Sequence, residues 1–291
     1  MKAIEDKLAM GRGRQRAASW SPMVDIEQMD AAGIALTIGS IPIPGVWFGD
    51  TGFSRKMARE WNEYAAAVVS DHPGRFGFFA VIAPPDIEGS LIEIDYALNV
   101  LKADGIALIS SYDGRWLGDA AFRPVFSELN RRNAVVFVHP AGLPEDTTPP
   151  GVKSHILEAP FDTTRTIFSL LHNRILSSCP DIRFIFAHGG GAVPYLAGRV
   201  AALSSGSGDM TPDRIHDLLN RLYFDTAIVI NEPALAALTK FCPRSQILLG
   251  IDSPIFSPEA EIKAWGSIGL DPDLRPLIER SNAAALLGRG Q

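Results

Sequence analysis

Ala134-Val-Val-Phe-Val-His-Pro140 is an unbroken apolar run, rich in β-branched valine, that ends on an imidazole and is stopped by a proline. An apolar strand with no polar alternation is buried on both faces, and such strands belong to parallel sheets covered by helices. Arg183-Phe-Ile-Phe-Ala-His188 repeats the pattern, and Gln246-Ile-Leu-Leu-Gly-Ile-Asp252 ends on a carboxylate instead. Working outward, further runs of the same character lie at Ile34–Ser40, Phe76–Ile82, Gly105–Ser110 and Leu222–Phe224.

Helical stretches separate these runs. Ser21 followed by Pro22 marks a helix start and Gly33 a stop. Phe53–Ser70 carries Trp61, Tyr64 and Val68 at helical spacing, and Asp86 is placed to cap Ile87–Lys102. Asp119–Arg132, Phe161–Ser178, Asn231–Phe241 and Asp271–Leu287 complete the expected helices. Alternation of this kind predicts βαβ units with right-handed crossovers. No strand is followed by a G-x-G-x-x-G phosphate fingerprint, which disfavours a dinucleotide-binding sheet. The expected fold is a TIM-like (β/α)8 barrel lacking its first strand, as a single domain over residues 1–291. A barrel of this type takes about 250 residues, which fits. Gly142–Lys153, rich in proline and acidic residues, is the linker-like stretch, at a place where a barrel carries an active-site loop.

Composition excludes several classes. A net charge of −6 gives no general attraction to nucleic acid or anionic membrane. No apolar run approaches the roughly 20 residues of a membrane span. Cys179 and Cys242 have neither metal-ligand nor disulfide-framework spacing, so reduced thiols in a cytoplasmic protein are expected.

His139, His188 and Asp252 each end a strand. In a parallel barrel those ends open on one face, the face that carries catalysis, so three residues distant in sequence converge. Imidazole and carboxylate suit Zn, Mn or Fe(II), and the trio reads as a metal and acid–base site. Asp225 ends another strand on the same face, either supporting the site from behind or capping the next helix. Trp47, Phe48 and Tyr112 follow strands there and could wall a flat substrate, with core packing as the alternative. His72, His172 and His216 lie in a turn or in helices and are set aside, while His155, in or beside the long loop, could reach a substrate.

Phe137-Val-His-Pro140, Phe186-Ala-His-Gly-Gly190 and Leu249-Gly-Ile-Asp-Ser-Pro254 together resemble the amidohydrolase-related family that includes aminocarboxymuconate-semialdehyde decarboxylase. Pro44–Asp50, Asp71–Gly77, Phe161-Asp-Thr-Thr-Arg165 and Pro194–Arg199 extend the likeness from about Ser19 to Leu287, and its nearest flavour is the 6-methylsalicylate type of aromatic-acid decarboxylase. The resemblance implies that His139 and Asp252 ligate one divalent metal, Zn or Mn, with His188 as the acid–base residue beside it. It implies a homodimer as well. Arg165 falls on an arginine of the family pattern, to bind a substrate carboxylate or to pair with Asp162. The family's first strand, ending in His-x-His or Glu-x-His, has no counterpart here. An upstream start beyond Met1 is the preferred explanation, and loss of the strand is the other. Ser253 also stands where the family commonly has tyrosine.

The expected function is therefore metal-dependent, non-oxidative decarboxylation of an aromatic or unsaturated carboxylic acid. Metal-dependent hydrolysis of an ester, lactone or amide uses the same residue types, and a non-catalytic paralogue with an incomplete metal site is the third reading. The expected partner is a small-molecule carboxylic acid, not nucleic acid or membrane.

Overall fold

A computed structural model describes residues 20–141, 148–204 and 210–289. The strands are β1 (Thr37–Gly39), β2 (Phe76–Val81), β3 (Gly105–Ile109), β4 (Ser111–Tyr112), β5 (Arg115–Trp116), β6 (Val135–His139), β7 (Arg183–Phe186), β8 (Tyr223–Asp225) and β9 (Ile247–Leu248). The helices are α1 (Pro22–Ala32), α2 (Thr51–Asp71), α3 (Ile87–Asp95), α4 (Arg123–Arg131), α5 (Ser154–His172), α6 (Ile175–Ser178), α7 (Val193–Ser204), α8 (Pro212–Leu219), α9 (Glu232–Phe241), α10 (Pro258–Ser267) and α11 (Asn282–Leu287).

Seven strands form one parallel sheet in the order β1-β2-β3-β6-β7-β8-β9. Each pairs with its predecessor in the chain apart from the small β4–β5 hairpin, and the order never reverses. A dinucleotide-binding sheet has a reversal point, so this is barrel topology. All seven strands expected from the apolar runs are present. Among the described residues, β1 and β9 each have one strand neighbour.

Period-two alternation sorts the strand residues into two faces. Phe79, Ala107, Val135, Ile185 and Leu248 form one buried cluster with Phe137, packed against Leu286 of α11. Their neighbours Phe78, Ala80, Ile106, Val136, Val138, Phe184, Phe186 and Phe224 face the helices and join Ile94, Leu129, Leu170 and Leu235 in the main core. Burying each valine, leucine, isoleucine or phenylalanine among them stabilises by roughly 1.5–3 kcal/mol. Cys179 and Cys242 are free and buried in this layer, and burial raises both thiol pKa values, that of Cys242 to about 12.

The helices depart from expectation in several places. α5 begins at Ser154, seven residues before Phe161, and runs through Pro160. A proline there removes the amide that would bond the Ile156 carbonyl, one lost hydrogen bond in a helix of 19 residues. The helix then stops at Asn173, and Arg174 takes a left-handed φ of 67° before α6. α7, α8 and α10 are additional helices, and the β4–β5 hairpin is an additional strand pair. The expected helix over Asp271–Leu287 is a turn, a π-type segment over Leu277–Ser281 and α11. The first half of the linker-like stretch, residues 142–147, lies outside the described residues. Among the described residues, no helix is long and apolar enough to cross a membrane.

Candidate active site

His139 follows Val135 and Phe137 on the inward register of β6, so alternation alone turns its ring away from the helices. Its Nδ1 lies 2.9 Å from the Pro140 carbonyl oxygen. A carbonyl can only accept, so Nδ1 carries the proton and Nε2 is left as the free donor of a lone pair.

His188 begins a sharp turn after β7. It has φ 57°, followed by Gly189, Gly190 and Gly191 at 61°, 72° and 63°. The glycines are required sterically: a Cβ on Gly190 would meet the Phe224 ring, and one on Gly191 would meet the Pro160 carbonyl. Asp252 also has positive φ, 60°. Non-glycine residues held there cost of order 1–3 kcal/mol each and concentrate at functional sites.

These elements bring the three side chains together. One donor atom from each of His139, His188 and Asp252 lies within 4.8 Å of the others. The imidazole centroids are 5.5 Å apart, and His188 Nε2 is 3.7 Å from Asp252 Oδ2, an ion-pair contact rather than a hydrogen bond. The His188 and Asp252 side chains keep 12% and 18% of their exposure, so a small molecule can reach them.

Charge is unevenly shared. Burial, reinforced by the neighbouring His188, lowers the His139 pKa and favours the neutral ring a metal needs. Burial opposes charge on His188 too, but Asp252 and Asp225 outweigh it and the pKa is raised. Asp225 is pushed up to about 6, chiefly by burial. The residues fit a divalent ion: the neutral His139 imidazole with its tautomer fixed and the Asp252 carboxylate offer donor atoms within 4.8 Å of one another, with His188 beside them.

Asp225 Oδ1 accepts the backbone N–H of His188 at 2.8 Å and that of Ala227 at 3.1 Å. It thus lies beside the site rather than capping α9, which is capped by Asn231. Trp47 is half-buried and donates its indole N–H to Asp113 in the hairpin turn at 2.8 Å. Phe48 packs edge-on against Phe53, 5.6 Å between centroids. Arg165 lies 3.7 Å from the buried carboxylate of Glu158 and 6.0 Å from the Phe161 ring. The pair with Asp162 anticipated from sequence is not formed, because Asp162 sits inside α5 facing the core while Arg165 faces solvent. Tyr112 is not part of a substrate wall: it is 4% exposed and its hydroxyl accepts the Ile109 amide.

Sequence reasoning placed Asp162 only as a partner for Arg165 and did not find Ser110 and Trp116, whose side chains donate to its carboxylate beside the His139 turn. Glu261 of α10 was also missed: burial first, then the charge of Asp252, raises its pKa. A buried aspartate inside an apolar helix stretch was the available signal.

The family model for the amidohydrolases matches residues 9–289. The chain belongs to that family. It is 37% identical over 250 residues to the 6-methylsalicylic acid decarboxylase acuB of Aspergillus aculeatus, covering 81% of this chain and 74% of the relative. It is 33% identical over 294 residues to the decarboxylase yanB of Aspergillus niger, covering 94% and 80%. A solved 2,6-dihydroxybenzoate decarboxylase superposes with a TM-score of 0.88 at 19% identity, over 99% of this chain and 95% of that one, a likeness of fold.

Proposed function

We propose that this amidohydrolase is a metal-dependent, non-oxidative decarboxylase of an aromatic carboxylic acid. The observation that carries the reading is the convergence of His139, His188 and Asp252 at the strand ends. Family membership and the decarboxylase relatives support it.

In this reading His139 and Asp252 hold one divalent ion, Zn or Mn, and His188 is the acid. When bound, the ion would supply Lewis-acid polarisation and orientation of the substrate. Decarboxylation replaces a carbon–carboxylate bond by a carbon–hydrogen bond. His188 gives its proton to the ring carbon that bears the carboxylate, the bond to CO2 breaks, and its electron pair restores the aromatic ring. The raised pKa keeps that proton available, and Asp252 stabilises the imidazolium that carries it. Asp225, holding the His188 backbone amide, keeps the donor in place. Trp47 and Phe48 supply an apolar wall, and Arg165 a cation for an acidic substituent. The reading includes a cytoplasmic homodimer.

The test is turnover of a hydroxylated benzoate such as 6-methylsalicylate by Mn- or Zn-supplemented protein in D2O. CO2 release with deuterium on the carbon that lost it is the expected result, and His188→Asn should cost about 10²–10⁴ in kcat. An acid product carrying solvent oxygen would mean hydrolysis instead. No metal uptake and no turnover of any aryl acid would leave the non-catalytic reading.

A further inference from the structure

Asp162 lies within α5, is fully buried, and has no part in the chemistry above. Its Oδ2 accepts the Ala141 amide at 2.9 Å and the hydroxyl of Ser110, and its Oδ1 accepts the Trp116 indole N–H at 3.0 Å. Ser110 returns to the same place: its Oγ also accepts the Ala141 amide, at 2.7 Å, and its backbone N–H donates to the His139 carbonyl at 2.8 Å. Thr166, one helical turn on, donates to the Ser110 carbonyl at 3.0 Å.

The Pro140 carbonyl and the Ala141 N–H belong to one peptide unit, which is planar and resists rotation. Its N–H end is held by the Asp162 carboxylate. Its oxygen end accepts the Nδ1 proton of His139 at 2.9 Å. A buried anion is thereby linked to an imidazole through one rigid plane. Tilting the plane would tilt the ring, and hydrogen bonds in such a chain polarise one another.

We infer that Asp162 is a positioning residue that orients the His139 ring through the Pro140–Ala141 peptide plane, and that it holds the β4–β5 hairpin to the same anchor through Trp116. The inference rests on the proposed role of His139 as a metal donor. A carboxylate behind a ligating histidine normally acts directly on the ring nitrogen; in this site a peptide group is interposed.

Asp162→Asn separates this role from mere stability. An amide has one acceptor oxygen and one NH2, so whichever way it lies, at least one of the Ser110, Trp116 and Ala141 donors now faces a donor. The buried carboxylate Glu93, which pairs with Arg59 and Asn62, provides Glu93→Gln as a control of comparable burial. The first readout is the His139 Nδ1 proton by NMR in metal-free protein. It is expected to be slowly exchanging in the wild type and in Glu93→Gln, and shifted or lost in Asp162→Asn. The second is Mn affinity by titration, expected to weaken about 10–100-fold in Asp162→Asn alone. An unchanged Nδ1 signal in Asp162→Asn overturns the inference, as does an affinity loss no larger than that of Glu93→Gln at equal loss of Tm. If the wild type takes up no Mn, the decarboxylase reading fails, while the Nδ1 signal still decides the role of Asp162.

Discussion

At the scale of single residues, the site depends on backbones that most side chains avoid. His188 and Asp252 sit in the left-handed region, and Gly189, Gly190 and Gly191 extend the turn after His188. Gly191→Ala tests how tightly that turn is determined. Its φ of 63° is strained for alanine, and the added methyl would run into the Pro160 carbonyl. Urea unfolding should show a loss of more than about 2 kcal/mol, because a clash adds to the cost of a left-handed alanine. A loss under about 0.5 kcal/mol would show that α5 and the turn can separate freely. The three convergent side chains were legible in the sequence because each ends an apolar run, and strand ends of a parallel barrel share a face. The role of Asp162 was not legible. It depends on an amide and an indole that come from two other elements, 21 and 46 residues away.

At the scale of elements, helix α4 shows how surface charge adds a pH-dependent contribution. Glu128 accepts hydrogen bonds from Arg131 and Arg132, and Arg131 foremost, with Arg132, holds its carboxyl at about 2. A carboxylate with a depressed folded-state pKa stabilises above its unfolded value of 4.5 and ceases to do so as pH falls toward 2. Wild type should therefore melt above Glu128→Gln at pH 7, with the gap closing between pH 4.5 and 2. A gap that is constant across that range would mean the arginines act through packing alone. Element boundaries were the least legible feature. The helix expected from Phe161 begins at Ser154 and passes through Pro160, beside which the Thr163 and Thr164 hydroxyls donate to the Ala159 and Pro160 carbonyls. The β4–β5 hairpin has only two residues per strand, too few for any alternation to register.

For the whole molecule, ligand linkage gives the most direct test of a metal centre. An ion that binds only the folded chain stabilises by RT ln(1 + [L]/Kd), about 2.7 kcal/mol at one hundred times Kd. Mn or Zn should raise the Tm of the wild type progressively with concentration and leave that of His139→Ala or Asp252→Ala almost unmoved. Equal shifts in all three proteins would place the ion elsewhere. The global fold was readable because uninterrupted apolar strands alternating with helices admit few architectures, and the absence of a phosphate fingerprint removed the main rival. Sheet order confirmed the barrel by never reversing. The seven strands were therefore found, while the helices over Val193–Ser204, Pro212–Leu219 and Pro258–Ser267 were missed, although two of them open on a capping residue followed by proline, Thr211-Pro212 and Ser257-Pro258.

The early turns of α5 serve both histidines at once. Asp162 anchors the turn after His139, while the Pro160 carbonyl and Thr164, whose hydroxyl accepts the Ala192 amide at 2.8 Å, brace the turn after His188. Shifting that helix by a single residue would rotate it by about 100° and release both anchors together. Over evolutionary time Pro160, Asp162 and Thr164 must therefore change in step: an insertion or deletion among them costs both histidine turns at once, so this stretch of helix evolves as a block.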